Sequence, residues 1–347
     1  MIDVAVVGGG PAGLAAAIRC VRRGFRTVCF ERQRAPVDKA CGEGLMPAGV
    51  RELVDLCVLP VGRPFRGIRY VQEDGKAVEG RFADGEGLGV RRLELSRVLA
   101  AEAVSRGVQL RDASVLTATH GAASVEVRTD GEAFEARLVI AADGLHSPLR
   151  RAAGLEEPST GPQRFGLRRH FRVERPGDFV EVHWAKGCEA YLTPVGDTCV
   201  NVAFLCEKGA RFEELLALFP ALAQRLQEPV SEVRGAGPLL QRVRRRYADR
   251  LALVGDAAGY VDAITGQGLS LAFRAARMLA TLLPQDLSLD LTPALSAYDR
   301  ALRAPWLRYA LPAQALVGLS RKPALRRRAI GAAGSLRLFP ALLSLVE

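Results

Sequence analysis

Gly8, Gly10 and Gly13 form the first group of residues able to do chemistry. They follow directly on the short β-branched, apolar run Ile2–Val7, and Leu14–Arg23 after them reads as a helix closed by Gly24. The first glycine permits a tight turn, and the second lets the backbone approach a pyrophosphate. The third lets the helix lie close on the strand, its positive end facing the phosphates. Pro11 and Ala12 complete the turn. A second apolar run, Thr27–Phe30, ends on Glu31 and Arg32, where a carboxylate can accept both hydroxyls of a ribose. Strand, glycine turn, helix, strand and acid in that order, within about 30 residues, point to a dinucleotide site far more specifically than a lone glycine motif does.

Two further groups belong with this one. Gly255-Asp256-Ala257-Ala258-Gly259 follows the apolar Leu251–Val254 and continues through Gly266-Gln267-Gly268 into a helix over Ser270–Leu283. A carboxylate at Asp256 can bond a polyol chain, and the glycines admit a bulky ring; the plainer alternative is a helix cap. The loop Asp38–Leu45 carries Cys41 between Lys39 and Gly42. Its glycines allow backbone close to a planar ring. Cys41 is open to three readings: proton donor, electronic neighbour of a ring, or a small residue that fits. A reactive role requires a lowered thiol pKa.

These motifs resemble the glutathione-reductase-type FAD proteins and, more narrowly, single-component flavin monooxygenases and geranylgeranyl reductases. Two more segments support the resemblance: Asp143-Gly144-Leu145-His146-Ser147-Pro148-Leu149-Arg150 matches DGxxSxxR, and Arg92–Leu99 matches RxxLxxxL. The Cys41 loop resembles the CGxG loop of the reductase branch. The resemblance implies FAD, with Arg92 reaching the flavin, Asp256 holding the ribityl–pyrophosphate region, and Asp143 in a segment associated with FAD and reduced nicotinamide. It also places Pro11, Ala12, Arg32, Cys41, Gly42, Val115, Gly255, Gly266 and Gly268 around the cofactor. Ala263 stands where many members have proline, and Gln267 where many have glutamate. Flavin halogenases keep a paired-tryptophan segment that Cys188–Pro194 does not reproduce.

The elements that must position these groups form an α/β chain with a Rossmann-type FAD-binding domain interrupted by a β-sheet substrate domain. The expected FAD-binding stretches are 1–64, 91–158 and 246–290. The β-rich stretches are 65–90 and 159–245, and 291–347 forms helical segments broken at Pro305, Pro312, Pro323 and Pro340. Leu93–Ser105 is helical, with Leu95, Val98, Leu99 and Ala103 on one face. Gly85, Gly87 and Gly89 read as a polar turn without a following dinucleotide helix. The chain therefore lacks a dedicated nicotinamide domain, and its electrons are expected from a transient NAD(P)H or a reductase partner. His170, His183, Trp184 and Tyr191 lie on the expected substrate sheet. Phe179, Glu181 and His183 share one face there, and Val180, Val182 and Trp184 the other. His183 or Tyr191 is a candidate substrate-positioning residue, with a core or surface role as the alternative for each.

Composition bounds the rest. A chain of 347 residues that is 49% hydrophobic and 25% charged is an ordinary globular one of about two domains. Lys+Arg 48 against Asp+Glu 38 leaves a net charge of +10, nearly all of the excess being arginine. Such a balance suits anionic partners, but zinc-finger spacing and ribonucleoprotein motifs are missing, so nucleic acid is not expected. An odd seven cysteines without a CxxC pair argue for a reducing compartment, and the N-terminus lacks a signal-peptide pattern; a cytoplasmic location follows as the expectation. No metal spacing joins the histidines and cysteines. Arg326-Arg327-Arg328 ahead of the apolar Leu336–Val346 allows either a peripheral membrane contact or a terminal helix capping the core. The expected activity is FAD-dependent oxidoreductase chemistry, most readily hydroxylation or epoxidation of an apolar small molecule of polyketide, quinone or isoprenoid type using NAD(P)H and oxygen. Monooxygenation comes first, with reduction of a carbon–carbon double bond and a non-catalytic FAD-binding protein as alternatives.

Overall fold

The computed structural model describes residues 1–121, 123–161 and 163–328. The apolar stretch Leu336–Val346 lies outside them. The first half of the chain supplies β1 (Ile2–Val7), α1 (Pro11–Arg22), β2 (Thr27–Glu31), α2 (Pro47–Asp55), β3 (Gly67–Val71), β4 (Ala77–Arg81), α3 (Arg92–Ser105), β5 (Gln109–Asp112), β6 (Val115–His120), β7 (Val125–Thr129) and β8 (Ala133–Ala141). The second half supplies β9 (Phe165–Arg172), β10 (Val180–Ala185), β11 (Cys188–Gly196), β12 (Cys199–Cys206), α4 (Phe212–Ala217), α5 (Pro220–Ala223), β13 (Arg234–Ala236), β14 (Tyr247–Ala248), β15 (Leu251–Leu253), α6 (Gly268–Leu282) and α7 (Thr292–Ser320).

One sheet runs β14-β15-β8-β1-β2-β5. It is parallel from β15 to β5, with β14 antiparallel at one edge and the β6–β7 hairpin continuing antiparallel from β8. Val4–Val7 are buried, as an apolar run covered on both faces must be. α1 buries Leu14, Ala15, Ala16, Ala17, Ile18 and Cys20, and joins α3 and α6 in the core over one face. The carboxyl ends of β1, β2, β8 and β15 all open onto one crevice edge, where ligands of such sheets bind. Gly8, Glu31, Asp143 and Asp256 lie just at or beyond those ends.

The second sheet runs β13-β9-β12-β11-β10-β3-β4 and is antiparallel except between β10 and β3. One face packs Phe171 and Phe204 against Phe212 and Phe219 of the α4–α5 region. The other packs Tyr70, Val182 and Trp184 towards Tyr309, Ala310 and Ala313 of α7. A small three-stranded sheet of Gly44–Leu45, Gly87–Gly89 and Arg63–Phe65 fills the junction. The expected polar turn at Gly85–Gly89 is thus partly a strand. A Cβ on Gly89 would lie 1.7 Å from the Pro194 carbonyl, so the glycine is needed for backbone close to backbone.

The expected helix break at Pro305 and Pro312 does not occur. α7 runs unbroken through both. A proline removes one backbone donor. Here the helix is fastened instead by the buried Leu295, Tyr298, Leu302, Tyr309 and Ala313, and tertiary burial outweighs that loss. Among the described residues no helix is long and apolar enough to cross a membrane.

Candidate active site

Close backbone approach assembles the cradle at the strand ends. Gly8 has φ +106°, and a Cβ there would lie 2.3 Å from the Ala142 carbonyl oxygen. That contact locks the β1–α1 turn against the segment leading to Asp143. The Gly9 N–H donates to Glu31 Oε2 at 2.8 Å, so Glu31 steadies the turn as well as ending β2. Gly255, with φ +61°, brings its loop within 2.6 Å of Ala12 Cβ, measured from the position its own Cβ would take. Pro11 and Ala12 start α1, and Gly10 faces open space apart from Arg92 Nη2, 3.9 Å from its would-be Cβ. Gly266 precedes α6 and Gly268 is its first residue. Val115 begins β6, two residues beyond Ala113, whose N–H donates to the Glu31 carbonyl at 3.1 Å. Arg32 is exposed beyond Glu31.

Charge is concentrated at the same edge. Arg92 is buried, and its Nη1 has no hydrogen-bond partner in the protein. Asp143 accepts from the Leu149 N–H at 3.4 Å through Oδ2, while its buried Oδ1 has no partner. Burial raises the Asp143 carboxyl, against the pull of Ser147 and the Leu149 N–H. Burial likewise raises Asp256 to about 6, opposed by Lys39, Arg92 and Arg150. Arg150 is fully buried and donates to the Leu145 carbonyl and Gln241 Oε1, both at 2.8 Å, and to Glu156 at 3.0 Å. A longer bond, at 3.4 Å, ties it to the Ala257 carbonyl. It thereby fastens the DGxxSxxR segment to the loop after β15. Unpaired buried donors and acceptors are expensive unless a ligand completes them. Arg92 and Asp143 therefore fit a group that brings both acceptors and donors, as a flavin dinucleotide does.

Cys41 is half-buried beside this cradle, in the electrostatic field of Arg92 and Asp256. Burial and the neighbouring Glu43 push its thiol up, outweighing Arg92 and the Glu43 N–H that donates to Sγ at 3.3 Å. That upward shift lacks the lowering a reactive thiolate needs, so a protonated donor or a packing role suits the residue better than an electronic neighbour of a ring. Gly42 is exposed at the loop tip.

The second sheet supplies the opposite wall. Tyr191 lies opposite Val182 in the β10–β11 register, on the face towards α7, and its hydroxyl donates to the Ile264 carbonyl at 3.4 Å. His183 is on the reverse face, 2.8 Å from Glu181 Oε2, with Arg225 bonded to the same carboxylate. Burial works against the Glu181 charge, yet His183 and Arg225 outweigh it and hold the carboxyl at about 2. The fold therefore separates the two candidate substrate residues. The loop carrying Ala263 is pinned from several sides: Tyr309 Oη accepts from the Val261 and Asp262 N–H groups, and the buried Arg164 pairs with both Glu189 and Asp262.

Four groups had no counterpart in the sequence reading: Glu43 with His170, Arg168 with Asp38, Asn201 with Cys41, and Arg164 with Asp262. Glu43 and His170 are 127 residues apart, at 2.6 Å between Oε2 and Nε2, and spacing carries no signal for such a pair. The only local hint was a charged residue between two glycines beside Cys41. Among the described residues no cluster of histidine, cysteine, aspartate and glutamate is arranged to hold a metal.

The model of a protein family described as an FAD binding domain matches residues 1–180, just over half of the chain. The chain belongs to that FAD-binding family. Its cofactor is FAD, and it is an FAD-dependent oxidoreductase. It is 29% identical over 327 residues to a digeranylgeranylglycerophospholipid reductase of Methanothrix thermoacetophila, covering 87% of this chain and 83% of that protein. It is 28% identical to a menaquinone reductase of Mycobacterium tuberculosis over 85% of this chain and 79% of that one. Among solved structures, a flavoprotein/dehydrogenase of Cytophaga hutchinsonii shares the fold, with a TM-score of 0.85, 21% identity, and coverage of 99% of this chain and 92% of that one.

Proposed function

We propose that this flavoprotein reduces a carbon–carbon double bond of an apolar, isoprenoid-like substrate. Bound FAD supplies hydride chemistry. The observation that carries the reading is the placement of Cys41: its loop stands at the cradle's edge, with the Cys41 carbonyl held by Asn201 Nδ2 at 2.9 Å and its Sγ accepting the Glu43 N–H at 3.3 Å. Reducing an isolated double bond needs a proton at one carbon as well as hydride at the other, and a neutral thiol can give that proton. The names of the relatives, which are reductases of isoprenoid lipids and of menaquinone, point the same way. Around the thiol the chain's own residues bind and orient. Arg92 and Asp143 would hold the cofactor's polar groups, and Tyr191 packs with Val182 and Trp184 in the apolar cluster towards α7. Electrons come from NAD(P)H docking transiently or from a partner reductase.

A second reading, monooxygenation, is favoured by the Asp143–Arg150 and Arg92–Leu99 segments, which look like those of aromatic hydroxylases. The two diverge in their need for oxygen. Menaquinone and a digeranylgeranyl glycerophospholipid, each offered with NADPH or dithionite under argon, should give products heavier by two hydrogens. A product formed only in air, carrying one labelled atom from labelled oxygen gas, would reverse the assignment. Conversion of neither probe would sink the isoprenoid substrate class.

A further inference from the structure

A buried polar stripe crosses three strands of the second sheet. His170 on β9 is the register partner of Asn201 on β12, and Asn201 is the partner of Thr193 on β11. The three are 1%, 0% and 2% exposed. All three address one loop. His170 Nε2 meets Glu43 Oε2 at 2.6 Å, Asn201 Nδ2 donates to the Cys41 carbonyl at 2.9 Å, and Thr193 Cγ2 lies 3.6 Å from where a Cβ on Gly44 would stand. On the other side of His170, Nδ1 sits 2.8 Å from Ser231 Oγ and 3.2 Å from Arg168 Nη1, while Arg168 pairs with Asp38 at the start of the same loop.

Glu43 is the hub. It is 2% exposed and holds φ +59°, a left-handed conformation that a residue other than glycine keeps only when its surroundings enforce it. Its N–H donates to Cys41 Sγ, and its Oε1 accepts the backbone N–H of Arg92 at 2.7 Å. That N–H is one of the unpaired donors at the start of α3, whose N-cap residue Arg91 offers no side-chain cap. A carboxylate from 49 residues away caps the helix instead, at its favourable end. One residue therefore touches both groups that flank the FAD site, its backbone N–H the Cys41 thiol and its carboxylate the start of α3.

We propose that Glu43 and His170 are positioning residues: the substrate sheet, through this pair, holds the Cys41 thiol and the start of α3 in place at the FAD site. Neither touches substrate. The role does not depend on whether the bound flavin serves reduction or oxygen chemistry.

The test reads the loop directly. FAD-loaded protein is treated with iodoacetamide, and alkylation of each cysteine is followed by peptide mass spectrometry. Cys57, exposed and outside the stripe, is the internal reference, and the buried Cys20 and Cys29 report general unfolding. His170→Ala and Glu43→Ala should label Cys41 about tenfold faster with Cys57 unchanged and Cys20 and Cys29 protected, because local opening becomes easier. Glu43→Gln still offers an oxygen to the Arg92 N–H and a bond to His170, and should stay within about threefold of the native rate. If the alanine variants do not fold, His170→Asn decides, being too short to reach Glu43 and expected to accelerate labelling as the alanine does. Unchanged Cys41 labelling in folded, FAD-loaded variants overturns the proposal. Labelling of Cys20 and Cys29 together with Cys41 also overturns it, since the pair would then serve the whole fold.

Discussion

The cofactor cradle and the wall that faces it are built by opposite means. The cradle is largely backbone: Gly8, Gly9, Gly13 and Gly255 let segments touch, and Glu31 bonds a main-chain N–H. The wall is side chain: His170, Asn201, Arg164 and Tyr191 reach across from one sheet to loops of the other region. Backbone sites tolerate almost no added atom. Side-chain sites tolerate change in proportion to the charge and burial of what is lost.

The sharpest test of that contrast is Gly13→Val. Even a Cβ at Gly13 would stand 1.9 Å from the Gly8 carbonyl oxygen, so α1 must leave β1. The variant should purify without FAD, read as loss of flavin in the acid supernatant; a yellow Gly13→Val protein would break the comparison. Next is Arg150→Met, which leaves Glu156 and several carbonyls without their buried cation. Urea denaturation should show a loss of about 1–3 kcal/mol, the cost of leaving the Leu145 and Ala257 carbonyls and Gln241 Oε1 without their buried donor. A change under about 1 kcal/mol would mean that segment is held by its backbone after all.

Cys41→Ala should keep FAD and its reduction by NADPH or dithionite, yet lower product formation by roughly a hundredfold, the usual loss of a proton donor. Retained turnover would return Cys41 to packing. Asp256→Asn gives a smaller, pH-dependent effect. The folded carboxyl titrates near 6, above the ordinary value of 3.8. Its protonated form is the one the apoprotein favours, so the contribution is fully present below about pH 4 and lost as pH rises through 6. Thermal scans of apoprotein at both ends of that window should show the wild type losing on the order of 2 kcal/mol relative to Asp256→Asn. Equal pH dependence in the two would count against a desolvated carboxylate. The smallest effect belongs to His183→Ala. Glu181 keeps both bonds to Arg225, so about 1 kcal/mol of stability and little turnover should be lost. A large change in KM would place His183 at the substrate despite its reverse-face position.

The cradle was legible because its instructions are local. A glycine turn, a following helix and an acid at the end of the next strand lie within one βαβ unit, and each residue type answers a need that spacing alone expresses. Asp256 stood out as a glycine-bordered motif after a strand and Cys41 as one in a turn, whereas Asp143 came from the family resemblance alone. The wall was not legible. Which face of β10 carries His183 was set by pairing with β11 and β3, and alternation alone left that open. Pro305 and Pro312 read as breaks because local propensity cannot see the core that fastens α7. The bond between Glu43 and His170 exists only because a strand 127 residues away is folded against the Cys41 loop. Sequence by itself determined the cofactor and the parallel sheet that binds it, since local periodicity and backbone stereochemistry encode both. Only the tertiary structure decided what surrounds the thiol, because burial, register and the desolvation that raises a pKa arise from residues that the chain brings together last.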